Sequence, residues 1–229
     1  MNLQMQSPIN PKETHPFPSR IHRLSPLTIN RIAAGEVIER PASILKELLE
    51  NAIDAQSTAI EAYFGASDPW KITVMDNGHG MNADELLLAL ERHATSKIET
   101  EDDLVTVQTH GFRGEALPSI ASIAEVTLES RTPDSLVGAT VISSFGNHSL
   151  PRESACPTGT RVSVERIFEN TPVRKKFLKR YASEANHLLS QFYTIALAYP
   201  DIDFKLFKGR ALIYHFKKGD DLTFRCRMA

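Results

Sequence analysis

Glu47, Asn51 and Asp54 lie within the stretch Arg40-Pro-Ala-Ser-Ile-Leu-Lys-Glu-Leu-Leu-Glu-Asn-Ala-Ile-Asp-Ala55. At about 100° per residue of helix they fall within roughly 60° of one another, opposite a stripe of Ile44, Leu45, Leu48, Leu49, Ala52 and Ile53. A carboxylate one turn from an amide oxygen suits cleavage of a phosphoanhydride. Glu47 can take a proton from an attacking water. Asn51 offers a hard oxygen to Mg²⁺, which keeps several waters and needs few protein ligands. The same spacing also describes the solvated face of an ordinary amphipathic helix, so the remaining motifs must decide.

Asp76-Asn-Gly-His-Gly80 ends a strand-like run. It reads either as a tight turn or as a purine site. In the second case the Asp76 carboxylate accepts from an adenine amine, while Gly78 and Gly80 let the backbone approach the base. Gly111-Phe-Arg-Gly-Glu-Ala-Leu117 opens a helix, where glycine-exposed amides and the helix start favour phosphate oxygens. Arg113 adds a charge there or forms a surface ion pair. Thr95, Ser96 and Lys97 supply hydroxyls and a cation on a polar loop. Thr158-Gly-Thr160 leads a strand, where Thr160 is either part of an edge turn or a hydroxyl closing the site. Arg174, Lys175, Lys176, Lys179 and Arg180 form a basic run around Phe177. Such a run is a solvated face or a contact to the DNA backbone, salt-sensitive and indifferent to sequence.

These residues need a scaffold. Pro8, Pro11, Pro16 and Pro18 among polar neighbours make residues 1–20 a disordered arm. A short helix is expected over 27–37, with Thr28 as its cap and Gly35 interrupting it, then the central helix over 42–55. Strands are expected over 60–64 and 70–75, and a helix capped at Asn82 runs to about 90. A long loop through 92–103 reads as a functional lid, followed by a helix to about 123. Strands follow over 124–131, 137–144 and 160–167, with a turn and basic segment over 170–180 and a helix over 184–198. A hairpin spans 202–207 and 211–216 around Lys208-Gly209. Strand runs with helices grouped between them indicate an α+β sandwich.

Composition is that of a soluble protein: 229 residues, 41% hydrophobic and 24% charged, with a net charge of −2. That charge gives no global signal for nucleic acid or membrane, so any basic surface is local. Cys156 and Cys226 lack metal spacing or a disulfide framework, which fits a reducing compartment. No apolar run is long enough for a bilayer, and the start lacks a signal-peptide core. A cytoplasmic location is expected.

Taken in order, E-x-x-x-N, D-x-G-x-G, a lid, G-F-R-G-E-A-L and a G-T strand resemble the GHKL ATPases, the group of gyrase, histidine kinases and heat-shock chaperones. Within it, Ile32-Ala-Ala-Gly-Glu-Val-Ile-Glu-Arg-Pro-Ala-Ser43, Arg92-His-Ala-Thr-Ser-Lys97, Gly111-Phe-Arg-Gly-Glu-Ala-Leu117 and Asn170-Thr-Pro-x-Arg-x-Lys-Phe177 look like signatures of the MutL family of DNA mismatch-repair proteins. The resemblance covers about 21–216, and its most specific motif is G-F-R-G-E-A-L.

The resemblance implies a Bergerat fold, a two-layer sandwich of helices on a mixed, mostly antiparallel sheet with a left-handed βαβ connection. It makes Glu47 the general base, Asn51 the Mg²⁺ ligand and Asp76 the adenine reader. Asp54, Gly78, Gly80, Thr95, Ser96, Lys97, Gly111, Phe112, Arg113, Gly114, Glu115, Ala116, Leu117 and Thr160 complete an ATP site. It further implies ATP-gated dimerisation of N-terminal regions, monomeric without nucleotide, and partnership with a MutS-type protein and with DNA of any sequence. Residues 21–217 are expected to form the ATPase domain and 218–229 to begin a second domain. In the family that second domain supplies a lysine to the γ-phosphate, so ATP turnover is expected to be weak here. Gln56-Ser57 stands where the family has a small Gly-Ala pair, off the face that carries Glu47. Two rivals remain: a phosphotransferase or chaperone of the same fold, and a nucleotide-inactive DNA-binding or interaction remnant.

Overall fold

The computed structural model describes residues 21, 23–66, 70–97, 111 and 114–228. The arm at 1–20, most of the expected lid, and Phe112 and Arg113 lie outside the described residues.

The first helix, α1 (Pro26–Val37), is capped by Ser25, whose hydroxyl accepts from the Thr28 amide at 3.2 Å. Thr28, expected as the cap, therefore sits inside the helix, because Pro26 already occupies the first helical position. Gly35 does not interrupt α1. It is packed under Arg174, whose Nη2 would lie 1.2 Å from a Cβ built there. The central helix α2 (Pro41–Asp54) buries Pro41, Ala42, Ile44, Leu45, Leu48, Leu49 and Ala52, the stripe read from the sequence except for Ile53, which is only partly buried against the core. Each of its fully buried Leu and Ile side chains contributes about 1.5–3 kcal/mol. That leaves the polar face free for other work.

A single sheet carries the rest. Its strands are β1 (Ala59–Phe64), β2 (Ile72–Asp76), β3 (Glu125–Arg131), β4 (Gly138–Ser144), β5 (Asn147–His148), β6 (Arg152–Ser154), β7 (Gly159–Glu165), β8 (Asp203–Lys208) and β9 (Ala211–Phe216). The order is β5-β4-β3-β7-β2-β1-β8-β9, with β6 on β4. All pairs are antiparallel except β1 with β8. The mixed, mostly antiparallel α+β sandwich is therefore present. β5 and β6 were not expected; at two and three residues they are too short for alternation to register.

In β1, β3, β7 and β8 the buried residues alternate, among them Ile60, Ala62, Phe64, Val126, Leu128, Val162, Val164, Phe204 and Leu206. Helices cover that face: α2, α4 (Ala116–Ile123) and α6 (Tyr181–Ala198), with α1 packed on α4 and α2 on α6. Short helices α3 (Ala83–Leu88), α5 (Pro172–Phe177) and α7 (Leu222–Met228) complete the described set. The opposite face carries cross-strand polar pairs such as Glu129–Arg161 at 3.2 Å and Thr73–Ser163 at 3.0 Å. No described helix is long and apolar enough to cross a membrane.

The C-terminal helix α7 is fastened by Arg225, which is fully buried and donates to the carbonyls of Ala196, Tyr199, Pro200, Ile202 and Lys217 at 2.6–3.2 Å. Three of these oxygens end α6 or follow it, where a cation is favoured by the helix dipole.

Candidate functional site

The polar face of α2 meets the loop after α3. Lys97 places its ammonium 3.1 Å from Asn51 Oδ1 and 2.5 Å from Asp54 Oδ2. The Asp54 side chain is only 5% exposed, so this ion pair is much stronger than one on an open surface. The Gly111 amide reaches the same Asp54 oxygen at 3.4 Å. Three sequence motifs thus converge within hydrogen-bonding distance. Thr95 supports the loop by accepting the Lys97 amide at 3.2 Å, and Ser96 faces solvent.

Glu47 lies one turn nearer the helix start than Asn51 and is partly exposed. Lys46 touches it at 3.4 Å but holds Glu50 more closely, at 2.7 Å. Glu47 therefore keeps accepting capacity on a half-open carboxylate, as a general base requires.

The second cluster surrounds Asp76 at the end of β2. Its Oδ1 accepts the Gly78 amide at 2.8 Å and the Ser57 hydroxyl at 3.1 Å. The Thr160 amide, opposite it on β7, also faces the carboxylate. Burial pushes the Asp76 carboxyl above its ordinary value, and the Gly78, Ser57 and Thr160 donors and His79 partly offset this. A carboxylate has about four accepting positions; three donors leave one for a ligand. The loop is pinned on both sides. Asn77 accepts the Thr58 and Ala59 amides, both at 2.9 Å, and the His79 amide donates to Ala55 O at 3.1 Å. Gly80 has φ +67°, and a Cβ there would lie 2.1 Å from Arg131 O, so only glycine fits.

The Thr160 hydroxyl bonds Ser130 at 2.9 Å. Ser130 is buried and also reaches Gly159 O at 2.7 Å and the Met81 amide at 2.8 Å. It joins the glycine loop to the start of β7. Sequence reasoning missed it because nothing local distinguishes one serine on a strand.

The phosphate-type loop enters α4. Gly114 has φ +60° and its surroundings would place a Cβ 2.4 Å from Ala94 O. The His93 amide donates to Gly114 O at 3.2 Å, so this glycine docks the loop before Lys97 onto the start of α4. Glu115 occupies the position before the helix, 3.9 Å from His93 Nδ1, and Ala116 and Leu117 form the first turn.

The basic run divides. Lys175, Lys176, Lys179 and Arg180 are exposed, together with Phe177 at 81%. Arg174 is half-buried against Gly35 of α1, with a buried Nη1. It supports α1 instead of facing outward with its neighbours.

No group of three or more His, Cys, Asp or Glu that could cage a metal occurs among the described residues. One amide oxygen on a polar face suits Mg²⁺, whose other ligands come from water and phosphate. It does not suit a metal that needs an all-protein cage.

Residues 39–163 match the model of a family described as histidine kinase-, DNA gyrase B-, and HSP90-like ATPase. The chain is 46% identical over 202 residues to a DNA mismatch repair protein MutL of Geobacillus sp. (strain WCH70), covering 88% of this chain and 32% of that protein. It is 46% identical over 203 residues to the MutL of Streptococcus mutans serotype c, covering 88% and 31%. Thus the chain spans about a third of the length of these relatives. Among solved structures it is similar to the Aquifex aeolicus MutL ATPase domain complexed with ADP. The TM-score is 0.66 and the identity 31%, covering 84% of this chain and 69% of that one.

Proposed function

Because the chain belongs to the histidine kinase-, DNA gyrase B- and HSP90-like ATPases, on the MutL side of that family, we propose that it binds ATP and hydrolyses it slowly as the nucleotide-dependent module of a mismatch-repair matchmaker. The observation that carries this reading is the convergence of Asn51, Asp54, Lys97 and the Gly111 amide. A cation and amides beside a polar helix face are what a triphosphate needs.

Each residue then has a task. Asp76 accepts from the adenine amine and rejects guanine, which presents an acceptor at that position. Lys97, Thr95, Ser96, Gly111, Phe112, Arg113 and Gly114 meet phosphates. Glu47 removes a proton from the attacking water. Asn51 would hold Mg²⁺, which would supply charge neutralisation on the phosphates when bound. Thr160 closes the base end through its hydroxyl.

Phosphate contact at Lys97 would draw the ammonium from Asp54 and so couple ligand binding to the loop it belongs to. That coupling supports ATP-gated dimerisation of the module and engagement of a MutS-type partner. Lys175, Lys176, Lys179 and Arg180 form the outward basic surface for duplex DNA, where binding would fall steeply with salt.

Calorimetric titration with Mg²⁺-ATP tests the site. Saturable binding lost in Asp76→Asn is expected; absence of binding by the folded chain would sink the proposal. Glu47→Ala should bind ATP normally and release no phosphate, whereas Asn51→Ala should lose the Mg²⁺-dependent part of binding. ATP bound equally well with and without Mg²⁺ would remove the Asn51 role.

A further inference from the structure

Ser57 stands on the turn between α2 and β1, outside every motif that the ATP-site reading uses. It is nonetheless 4% exposed, and its hydroxyl donates to Asp76 Oδ1 at 3.1 Å. Its own amide donates to Ala52 O at 3.3 Å, which fixes the turn against the end of α2. The side chain is also close to Gly78: a Cβ built on Gly78 would lie 2.8 Å from Ser57 Oγ. Ser57 therefore touches both the carboxylate and the glycine loop, and it comes from a different element than either.

We propose that Ser57 is a positioning residue for base recognition, its hydroxyl fixing the Asp76 carboxylate in one orientation and holding it in the accepting, ionised form. This rests on the ATP-binding reading above. A buried carboxylate is stabilised by each donor it receives, and a hydroxyl that accepts nothing from Asp76 must donate. The donors facing Asp76 come from three elements: Ser57 from the turn, Gly78 from the loop, and the Thr160 amide from β7. The titratable group facing it among the described residues is His79, on its own loop.

The test uses Ser57→Ala, which removes the hydroxyl and leaves the volume nearly unchanged, and Ser57→Cys, a weak donor of similar size. Carboxyl-carbon NMR follows the Asp76 titration in the ligand-free chain, and calorimetry follows ATP affinity across pH. In Ser57→Ala the Asp76 midpoint should rise by about one unit, a tenfold weaker acid. ATP affinity should fall about three- to tenfold, and its acid limb should move to higher pH by the same amount. Ser57→Cys should lie between. An unchanged Asp76 midpoint overturns the inference whatever ATP does. A shifted midpoint with unchanged ATP affinity overturns the recognition role. If the unaltered chain binds no ATP, the site reading itself fails, and the carboxyl titration still decides whether Ser57 acts on Asp76.

Discussion

Asp76→Asn changes one atom and should change which nucleotide is accepted. In the native site Oδ1 takes the Gly78 amide at 2.8 Å and the Ser57 hydroxyl at 3.1 Å. Asparagine can keep both only by placing its oxygen there. Its amine then takes the place of Oδ2, so a donor meets the adenine amine. The loss is one charge-assisted hydrogen bond, about 1.5–3 kcal/mol, plus an unsatisfied donor at a buried edge. A total on the order of 3 kcal/mol predicts about a hundredfold weaker ATP binding. Guanine, with an acceptor at that position, should lose nothing and gain a bond, so the preference for ATP over GTP should collapse or reverse. Calorimetry with both nucleotides at neutral pH reads this directly. The pH dependence gives an independent check. Because burial raises the Asp76 carboxyl in the folded chain, the native state binds more protons than the unfolded one between the unfolded value, about 3.9, and the folded one. Stability from this group is therefore lost as pH rises through that window, while ATP affinity is lost as pH falls through the folded value. Asp76→Asn should abolish both dependences. An ATP affinity within about threefold of the native chain, or an unchanged acid limb, would refute base recognition by Asp76.

Lys97→Met removes the cation from an Asp54 side chain that is only 5% exposed. Breaking such a pair costs on the order of 3 kcal/mol, and the midpoint of thermal unfolding should fall by roughly 6–12 °C for a chain of this size; a shift below about 2 °C would mean that the pair contributes little. Gln56 has φ +60° and an exposed side chain. Gln56→Gly should thus raise the unfolding midpoint by about 2–4 °C, relief of the left-handed conformation outweighing the added chain entropy; a lower midpoint would contradict this. Arg225→Leu leaves five carbonyls without their shared donor. It should cost at least about 3 kcal/mol and expose α7 to proteolysis, whereas retained protease resistance would show that α7 is held by apolar contacts instead.

The central helix was legible because both its faces are written locally: the stripe from Ile44 to Ala52 for the core, and Glu47, Asn51 and Asp54 for the site. Long alternating strands were legible for the same reason. For α5 the sequence predicts only a turn and basic segment, since Pro172 starts the helix and six residues give too little periodicity. The helix α7 carried no signal because what orders it is remote. Its arginine donates through both terminal nitrogens to carbonyls spread over residues 196–217, a set that exists only after the sheet is closed.

The site divides along the same line. Residues whose chemistry is their own, such as Asp76 or Lys97, were named from type and spacing. Residues whose chemistry is conferred by a neighbour were not. On the helix wheel Gln56-Ser57 lies off the face of α2 that carries Glu47. Yet the turn that Gln56 makes at φ +60° swings Ser57 away from α2 and onto the end of β2. There the β1–β2 pairing, Ile60 opposite Asp76, brings the two residues together across 19 positions of sequence. Ser130 arrives by the same route, from β3 through β7. In both cases a hydroxyl that looks generic in the sequence is assigned its role by strand register. Register depends on the whole buried face being in phase. The acids and glycines of this site are therefore read from the chain, and the hydroxyls that orient them only from the sheet.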